Sequence, residues 1–116
     1  MQKSFDSAGV VSLEAEWQDS YVFLRGDIQG LERDSENLRG CRVYFAQYPP
    51  DDAPCDTCPI EYQGYDSFGR EVVQEKKFFC RIPVIERNQV YFFKAYLVGP
   101  KDVLGFPSNT VKVVVK

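Results

Sequence analysis

Hydrophobic and polar residues alternate along most of this chain with a period of two. In the clearest run, near the C-terminus, four alternate residues are apolar: Tyr91, Phe93, Ala95 and Leu97. The intervening positions are Phe92, Lys94 and Tyr96. Because successive side chains of a strand point to opposite faces of its sheet, this run predicts a strand over residues 89–98. The first set is predicted to face the core and the second set to face out.

Six further segments have the same strand character. They cover residues 10–17, 21–28, 41–47, 60–63, 71–85 and 109–115, and the start of the fifth segment is ambiguous. In the first segment, the residues predicted to face the core are Val11, Leu13, Ala15 and Trp17. In the fifth they are Phe78, Cys80 and Ile82. Residues 66–69 have the composition of a turn. Seven strands at this spacing predict an all-β fold, a seven-stranded antiparallel immunoglobulin-like sandwich.

Length and charge narrow the possibilities. A chain of 116 residues supports one core, so we predict a single domain over residues 8–116 after a flexible N-terminal segment, residues 1–7. The net charge of −3 provides no basic surface for phosphates, which argues against nucleic acid as a partner. No apolar stretch approaches the ~20 residues that span a bilayer. With no histidine and no glycine-rich phosphate loop, the sequence predicts neither an enzyme nor a cofactor.

Residues 49–59 form the least strand-like part of the chain, with four prolines, three acidic residues and two cysteines. The spacing of the acids matches no calcium loop, so we interpret them as a solvated turn. The chain has more exposed aromatic residues than so small a core needs, and besides Tyr44 four of them flank this segment: Tyr48, Tyr62, Tyr65 and Phe68. Tyrosines beside a fixed loop are typical of contact surfaces, so we predict that these residues bind a protein or carbohydrate ligand. The alternative is that the segment and its aromatic residues cover an edge of the sheet or of the core.

Parts of the sequence resemble the fibronectin type III family. Ile85 precedes the alternating run that starts at Tyr91, as an apolar residue precedes the tyrosine-containing strand of that family. Residues 40–45 and 108–113 are similar to two more of its strands. The resemblance covers residues 8–115. It implies the topology of a fibronectin type III sandwich.

The resemblance also sets expectations about location and function. The Cys55-x-x-Cys58-Pro59 pattern is similar to small bacterial lipoproteins of the fibronectin type III class, which implies export and a lipid anchor outside this sequence. On that basis we expect an extracytoplasmic protein, in the periplasm or on the cell surface, that works as a noncatalytic binding or spacer module. Family members usually have a core tryptophan where this chain has Gly26 or one of its neighbours, and we expect Trp17 to fill that space.

The four cysteines allow several arrangements. Cys55 and Cys58 could form a local disulfide, a redox pair, half of a zinc site or two free thiols. We favour the disulfide, because prolines and strands surround the pair and supply no helix to activate a thiol. A zinc site would need Cys41 and Cys80 as well, and this structural metal-binding role, or an accessory role in an enzyme, is the alternative function. Both of these cysteines are predicted to point into one core, either bonded across it or as free thiols.

Overall fold

The computed structural model describes residues 7–31, 35–55, 57–84 and 86–116. The strands of this part of the chain are β1 (Gly9–Gln18), β2 (Tyr21–Gln29), β3 (Gly40–Tyr48), β4 (Gly64–Phe68), β5 (Val73–Gln74), β6 (Lys77–Pro83), β7 (Gln89–Val98) and β8 (Val111–Val115). They form two antiparallel sheets, in the orders β1-β2-β6-β5 and β4-β3-β7-β8. The predicted antiparallel sandwich is confirmed, with the two-residue β5 as one strand more than predicted. Ile85 and residues 1–6 of the predicted flexible segment lie outside the described residues.

The main core lies between the two sheets, and β7 supplies much of it. Its inward residues are buried, as predicted: Tyr91, Phe93, Ala95 and Leu97. Lys94 and Tyr96 occupy outward positions, also as predicted. Phe92 lies on the outer face too, but only 2% of its surface is exposed. Another part of the chain must therefore cover the outer face at Phe92.

Hydrogen bonds from Tyr91 and Ala95 connect β7 to the segments that precede and follow it. The Tyr91 hydroxyl donates to the backbone carbonyl of Glu86 at 2.7 Å, which closes the turn between β6 and β7. A tyrosine bond of this kind to the backbone upstream recurs in immunoglobulin-like sandwiches. Further along, the Ala95 N–H donates to the buried hydroxyl of Ser108 at 2.8 Å. This bond ties β7 to the segment that leads into β8.

A bulge after Val11 interrupts β1, and Ser12 there adopts a φ of 54°. The extra residue shifts the alternation, so Val10 is fully buried while Val11 is only half-buried. The prediction that Val11 faces the core is therefore wrong. The side chain of Asn109 holds the bulge, because it accepts from the Leu13 N–H at 2.8 Å and donates to the Leu13 carbonyl at 3.0 Å.

Val10 also occupies the space next to Gly26. A Cβ added at Gly26 would lie 2.9 Å from Cγ1 of Val10, so the Val10 side chain fills the space beside this glycine. Trp17 pairs with Val22 near the other end of β2 and packs against the core there. The expectation that Trp17 fills the space beside Gly26 is wrong, because the register of β1 keeps the two apart.

The fourth strand differs from its prediction. The sequence predicts a strand at residues 60–63 and a turn at residues 66–69, but the structure has β4 at Gly64–Phe68. Pairing with β3 overrides the weak strand propensity of glycine, aspartate and serine. Asp66 lies opposite the buried Val43, on the inner side of this edge strand. A charge that points inward on an edge strand discourages the addition of a further strand.

Helical structure in the described residues is limited to short turns of 3₁₀ helix. The named turns are Ser35–Asn37, Pro50–Asp52, Arg70–Val72 and Pro100–Asp102, each of three residues. None of the helical segments in the described ranges has the length and apolar character needed to cross a membrane.

Candidate binding surface

The strand register brings aromatic and basic side chains together on the outer face of the β4-β3-β7-β8 sheet. Tyr44 of β3 lies opposite Tyr65 of β4 on one side and opposite Lys94 of β7 on the other. Two residues along the same face, Arg42 lies opposite Tyr96. Alternate residues of a strand share a face, and directly opposed residues are close neighbours. Three strands therefore build one continuous patch.

Four tyrosines form a connected cluster in this patch, with Tyr44 at its centre. The centroid of the Tyr44 ring lies 5.2 Å from that of Tyr65, 5.3 Å from that of Tyr96 and 6.3 Å from that of Tyr62. The pairs with Tyr96 and Tyr62 are edge-to-face, and the pair with Tyr65 is tilted. These separations are in the range that aromatic pairs prefer. Tyr65 is the most open of the four, with 48% of its surface exposed.

Two cations lie over the rings. The guanidinium carbon of Arg42 is 4.8 Å from the centre of the Tyr65 ring, and Nζ of Lys94 is 5.6 Å from the centre of the Tyr62 ring. Both distances are short enough for a cation–π interaction. Arg42 is also 3.7 Å from the carboxylate of Asp102, which is 80% exposed. We call the following residues the tyrosine surface: Tyr44, Tyr62, Tyr65, Tyr96, Arg42 and Lys94.

The loop between β3 and β4, residues 49–63, covers the other half of this face. It packs on a second hydrophobic cluster, separate from the main core. The buried members of this cluster are Ala46, Val90 and Phe92, and the half-buried ones are Tyr48, Ala53, Ile60 and Tyr62. This packing explains why Phe92 is buried at an outward position. The loop therefore covers the face of the sheet, and Gln63 at its end also hydrogen-bonds the backbone of Phe45 and Gln47 along the edge of β3.

Tyrosine hydroxyls anchor the loop to the strands. Oη of Tyr62 lies 2.9 Å from Oγ1 of Thr110, just before β8, and the Tyr48 hydroxyl donates to the Glu61 carbonyl at 3.3 Å. Burial raises the pKa of Tyr62, although its hydrogen bond to Thr110 acts in the opposite direction. Burial also raises the pKa of Tyr96. Both hydroxyls therefore stay protonated at neutral pH and are available as donors.

A disulfide between Cys55 and Cys58 closes a short turn within the loop, the pairing that we favoured from the sequence. A groove of about 310 Å³ lies between this part of the loop and the sheet. Cys58 contributes to the loop side of the groove, and Lys94 and Thr110 contribute to the sheet side. Tyr62 lines the groove as well. The groove and the tyrosine surface therefore adjoin, because Lys94 and Tyr62 belong to both.

The structure brings together two of the four aromatic residues predicted to bind a ligand. Tyr62 and Tyr65 both belong to the tyrosine surface. Tyr48 lies on the same face, but its ring packs edge-to-face against Phe92, with centroids 5.9 Å apart. Phe68 lies on the inner side of β4 and packs against the main core. Phe68 is thus separated from the other three by the sheet itself.

The sequence analysis missed Tyr96, Arg42 and Lys94 as members of the surface. A signal for two of them was present, because the alternation along β7 already placed Lys94 and Tyr96 on the outward side. What joins them to Tyr44 is the pairing of β7 with β3, which becomes visible only in the structure.

The remaining two cysteines belong to the main core. Cys41 and Cys80 are free, buried thiols, and burial raises the pKa of each to about 12. Neither is therefore a thiolate nucleophile at neutral pH. The zinc alternative does not fit this arrangement, because Cys55 and Cys58 are bonded to each other in the loop on the outer face. Among the described residues, no three metal-ligating side chains lie together.

The outer face of the other sheet carries a smaller aromatic strip. The Phe23 ring centroid lies 6.2 Å from that of Tyr21 and 6.0 Å from that of Phe79, and Arg81 lies 4.9 Å from the Tyr21 ring. The ion pairs of this face are Glu16–Arg25 and Asp27–Lys77. Arg25 and Lys77 are thus each paired with a carboxylate of the protein itself. Variants in this strip can therefore serve as controls for variants in the tyrosine surface.

Comparison with known proteins identifies the fold. No family model matches the chain, and no curated protein matches it. Among solved structures, the third fibronectin III domain of the human KIAA0343 protein aligns with a TM-score of 0.66 and 13% identity, over 99% of this chain and 88% of that chain. A structure described as a myokine aligns with a TM-score of 0.59 and 9% identity, over 91% of this chain and 94% of that chain. The similarity lies in the fold, and the protein therefore has a fibronectin type III-like fold.

Proposed function

We propose that this protein is a noncatalytic binding module and that the tyrosine surface is its contact surface for another protein. The observation that carries the proposal is the cluster itself, in which four tyrosine rings and two cations meet on one side of a sheet. Tyrosine and arginine are enriched at protein interfaces, where they combine a large, stiff contact area with polar groups.

The interior of the domain does not account for these rings. Tyr44, Tyr65 and Tyr96 belong neither to the main core nor to the second hydrophobic cluster. They pack on one another at the surface, where cross-strand pairs contribute only about 0.2–1 kcal/mol each. A contact role explains why three large side chains are placed there.

The tyrosine surface is also held in place before any partner arrives. Tyr62 is fixed by its contact with Thr110, and Arg42 lies over the Tyr65 ring. Prolines and the disulfide restrict the neighbouring loop. Side chains and loops that are already ordered lose less entropy on binding, which favours association.

The ring geometry favours a protein over a carbohydrate as the ligand. A sugar ring stacks on an open, flat aromatic face. Here Tyr44 meets Tyr62 and Tyr96 edge-to-face, and Arg42 covers one face of Tyr65. Such an arrangement offers pockets and donors to side chains rather than a flat platform.

The disulfide supports a location outside the cytoplasm, because such bonds persist in oxidising compartments. The module we propose thus belongs to an exported protein. Its resemblance to small bacterial lipoproteins makes a lipid anchor outside this sequence the expected attachment to a membrane.

Selection from a random peptide library tests the proposal. Phage-displayed peptides selected on the immobilised protein are measured against two variants, Tyr65→Ala and Phe79→Ala. The variants are matched, since each removes an exposed ring, 48% exposed in Tyr65 and 53% in Phe79, from opposite faces of the sandwich. We expect Tyr65→Ala to weaken binding about tenfold or more and Phe79→Ala to leave it unchanged. Peptides that bind Tyr65→Ala as tightly as the wild type would overturn the proposal.

A further inference from the structure

We infer that the tyrosine surface recognises an acidic segment of a partner protein, rich in aspartate or glutamate. This inference rests on the proposed function and names the chemistry of the partner. It starts from the distribution of charge on the outer face of the β4-β3-β7-β8 sheet.

The outward positions of this sheet carry one sign of charge. Their charged residues are Arg42, Lys94 and Lys112. The structure describes all residues of these four strands, and the acid among them, Asp66, lies on the inner side of β4. The whole chain has a net charge of −3, so the outward strand positions of this sheet are opposite in sign to the protein as a whole. A local patch of this kind attracts ligands of the complementary charge.

The acids near Arg42 and Lys94 offset their charge only in part. Glu61, next to Tyr62 in the loop, is exposed to solvent. Asp102 lies 3.7 Å from Arg42, whose side chain is 20% exposed, but the Asp102 side chain is 80% exposed, so solvent screens its charge. Asp51 and Asp52 are exposed and follow the far end of β3. Arg42 is six residues from that end, roughly 20 Å along the strand, and Lys94 lies opposite Tyr44, which is four residues or roughly 13 Å from it. The third acid of the solvated turn, Asp56, lies outside the described residues.

Lys94 is the cation best placed to receive a carboxylate. It lines the groove beneath the disulfide turn, with its ammonium over the Tyr62 ring. Within the described ranges no carboxylate forms a salt bridge with it. Tyr96 is the next outward residue of β7 after Lys94, and it adds a protonated hydroxyl. An ammonium and a hydroxyl on one face can both donate to the oxygens of a partner carboxylate.

Two copolymers of matched aromatic content test the sign of the partner's charge. Random poly(Glu,Tyr) and poly(Lys,Tyr) are titrated into isotope-labelled protein, and the amide chemical shifts of all strands are followed. Polygalacturonate presents the same carboxylates on a carbohydrate. We expect poly(Glu,Tyr) to shift the amides of β3, β4 and β7 and to bind about tenfold more tightly than the other two polymers.

Charge reversal on the two faces locates the effect. Lys94→Glu and Arg81→Glu each reverse a cation that lies over a tyrosine ring, at 5.6 Å and 4.9 Å, and they change the net charge equally. We expect Lys94→Glu to weaken poly(Glu,Tyr) binding about fivefold or more, well beyond the effect of Arg81→Glu. Raising the ionic strength from about 0.01 M to about 0.15 M shortens the Debye length from ~30 Å to ~8 Å and should weaken binding of the wild type.

Three results would overturn the inference. Tighter binding of poly(Lys,Tyr) would reject an acidic partner, and tighter binding of polygalacturonate would reject a protein segment. Equal losses in Lys94→Glu and Arg81→Glu would show that net charge, and not this face, is responsible. Failure of the proposed function has a different signature, because the library peptides would then bind Tyr65→Ala as tightly as the wild type.

Discussion

Truncation of Phe92 to alanine tests the packing of the loop on the outer face of the sheet. Outward positions of a sheet usually tolerate such a change within about 0.5 kcal/mol. Here, however, Phe92 is 2% exposed and packs with Ala46 and Val90 beneath the loop. We expect Phe92→Ala to lower the free energy of unfolding by about 3 kcal/mol. This is the lower end of the range for buried aromatic residues, because a small cluster under a loop can partly collapse into the space.

Urea unfolding monitored by the fluorescence of Trp17, the single tryptophan, measures this loss. Trp17 is half-buried against the main core, so its environment changes when the domain unfolds. Val114→Ala is the control, because Val114 lies opposite Val90 on the same outer face and is 46% exposed. We expect the control to lose under about 0.5 kcal/mol. A loss under about 1 kcal/mol for Phe92→Ala would refute the reasoning, since the loop would then not bury the ring.

A double-mutant cycle identifies the loop as the source of this burial. Replacing residues 50–59 by a short Gly-Ser turn removes part of the cover over Phe92. In that background, Phe92→Ala should cost about 1 kcal/mol or less, which gives a coupling energy of about 2 kcal/mol between loop and ring. An unchanged cost would show that residues 50–59 do not contribute to the burial of Phe92.

Three further predictions concern the sandwich itself. Tyr91→Phe removes the hydroxyl that closes the turn before β7 and should cost about 1 kcal/mol in urea unfolding, and an unchanged midpoint would contradict this. Asn109→Ala leaves two backbone groups of Leu13 unpaired at the bulge, so we expect a loss of about 2 kcal/mol, and a loss under about 0.5 kcal/mol would speak against that role. Without reductant, iodoacetamide should modify Cys41 and Cys80 only after denaturation, and mass spectrometry that finds these two cysteines linked would reject the free thiols.

The strands with long, regular alternation could be predicted from the sequence. In β6 the apolar residues of one parity are the buried side chains, because nothing interrupts the period of two. In β7 the predicted inward residues are all buried, although Val90, Phe92 and Val98 on the other side are buried as well. β1 shows the limit of this reasoning. One extra residue at Ser12 reverses the face, and residues 10–16 contain no glycine or proline that would mark the bulge. The partner that stabilises the bulge, Asn109, lies almost a full chain length away.

The binding surface was harder to predict, because it depends on contacts between distant segments. Tyr65 and Phe68 are both aromatic residues after the loop, yet the parity of β4 places Tyr65 outside and Phe68 inside. That parity could not be read without the position of β4, which pairing with β3 determines. Tyr44 and Tyr96 are about fifty residues apart in sequence, and only the β3–β7 register makes them neighbours.

Tyr62 links the stability of the loop to the proposed function. Its ring belongs to the second hydrophobic cluster through the loop, and it is also a member of the tyrosine surface through Tyr44. Packing around Phe92 therefore fixes the position of one of the rings that we propose to contact the partner. Covering the outer face and presenting a contact surface are thus not competing explanations for the loop. Tyr62 belongs to both the second hydrophobic cluster and the tyrosine surface. The tyrosine surface therefore keeps its arrangement only while the loop remains packed on the sheet.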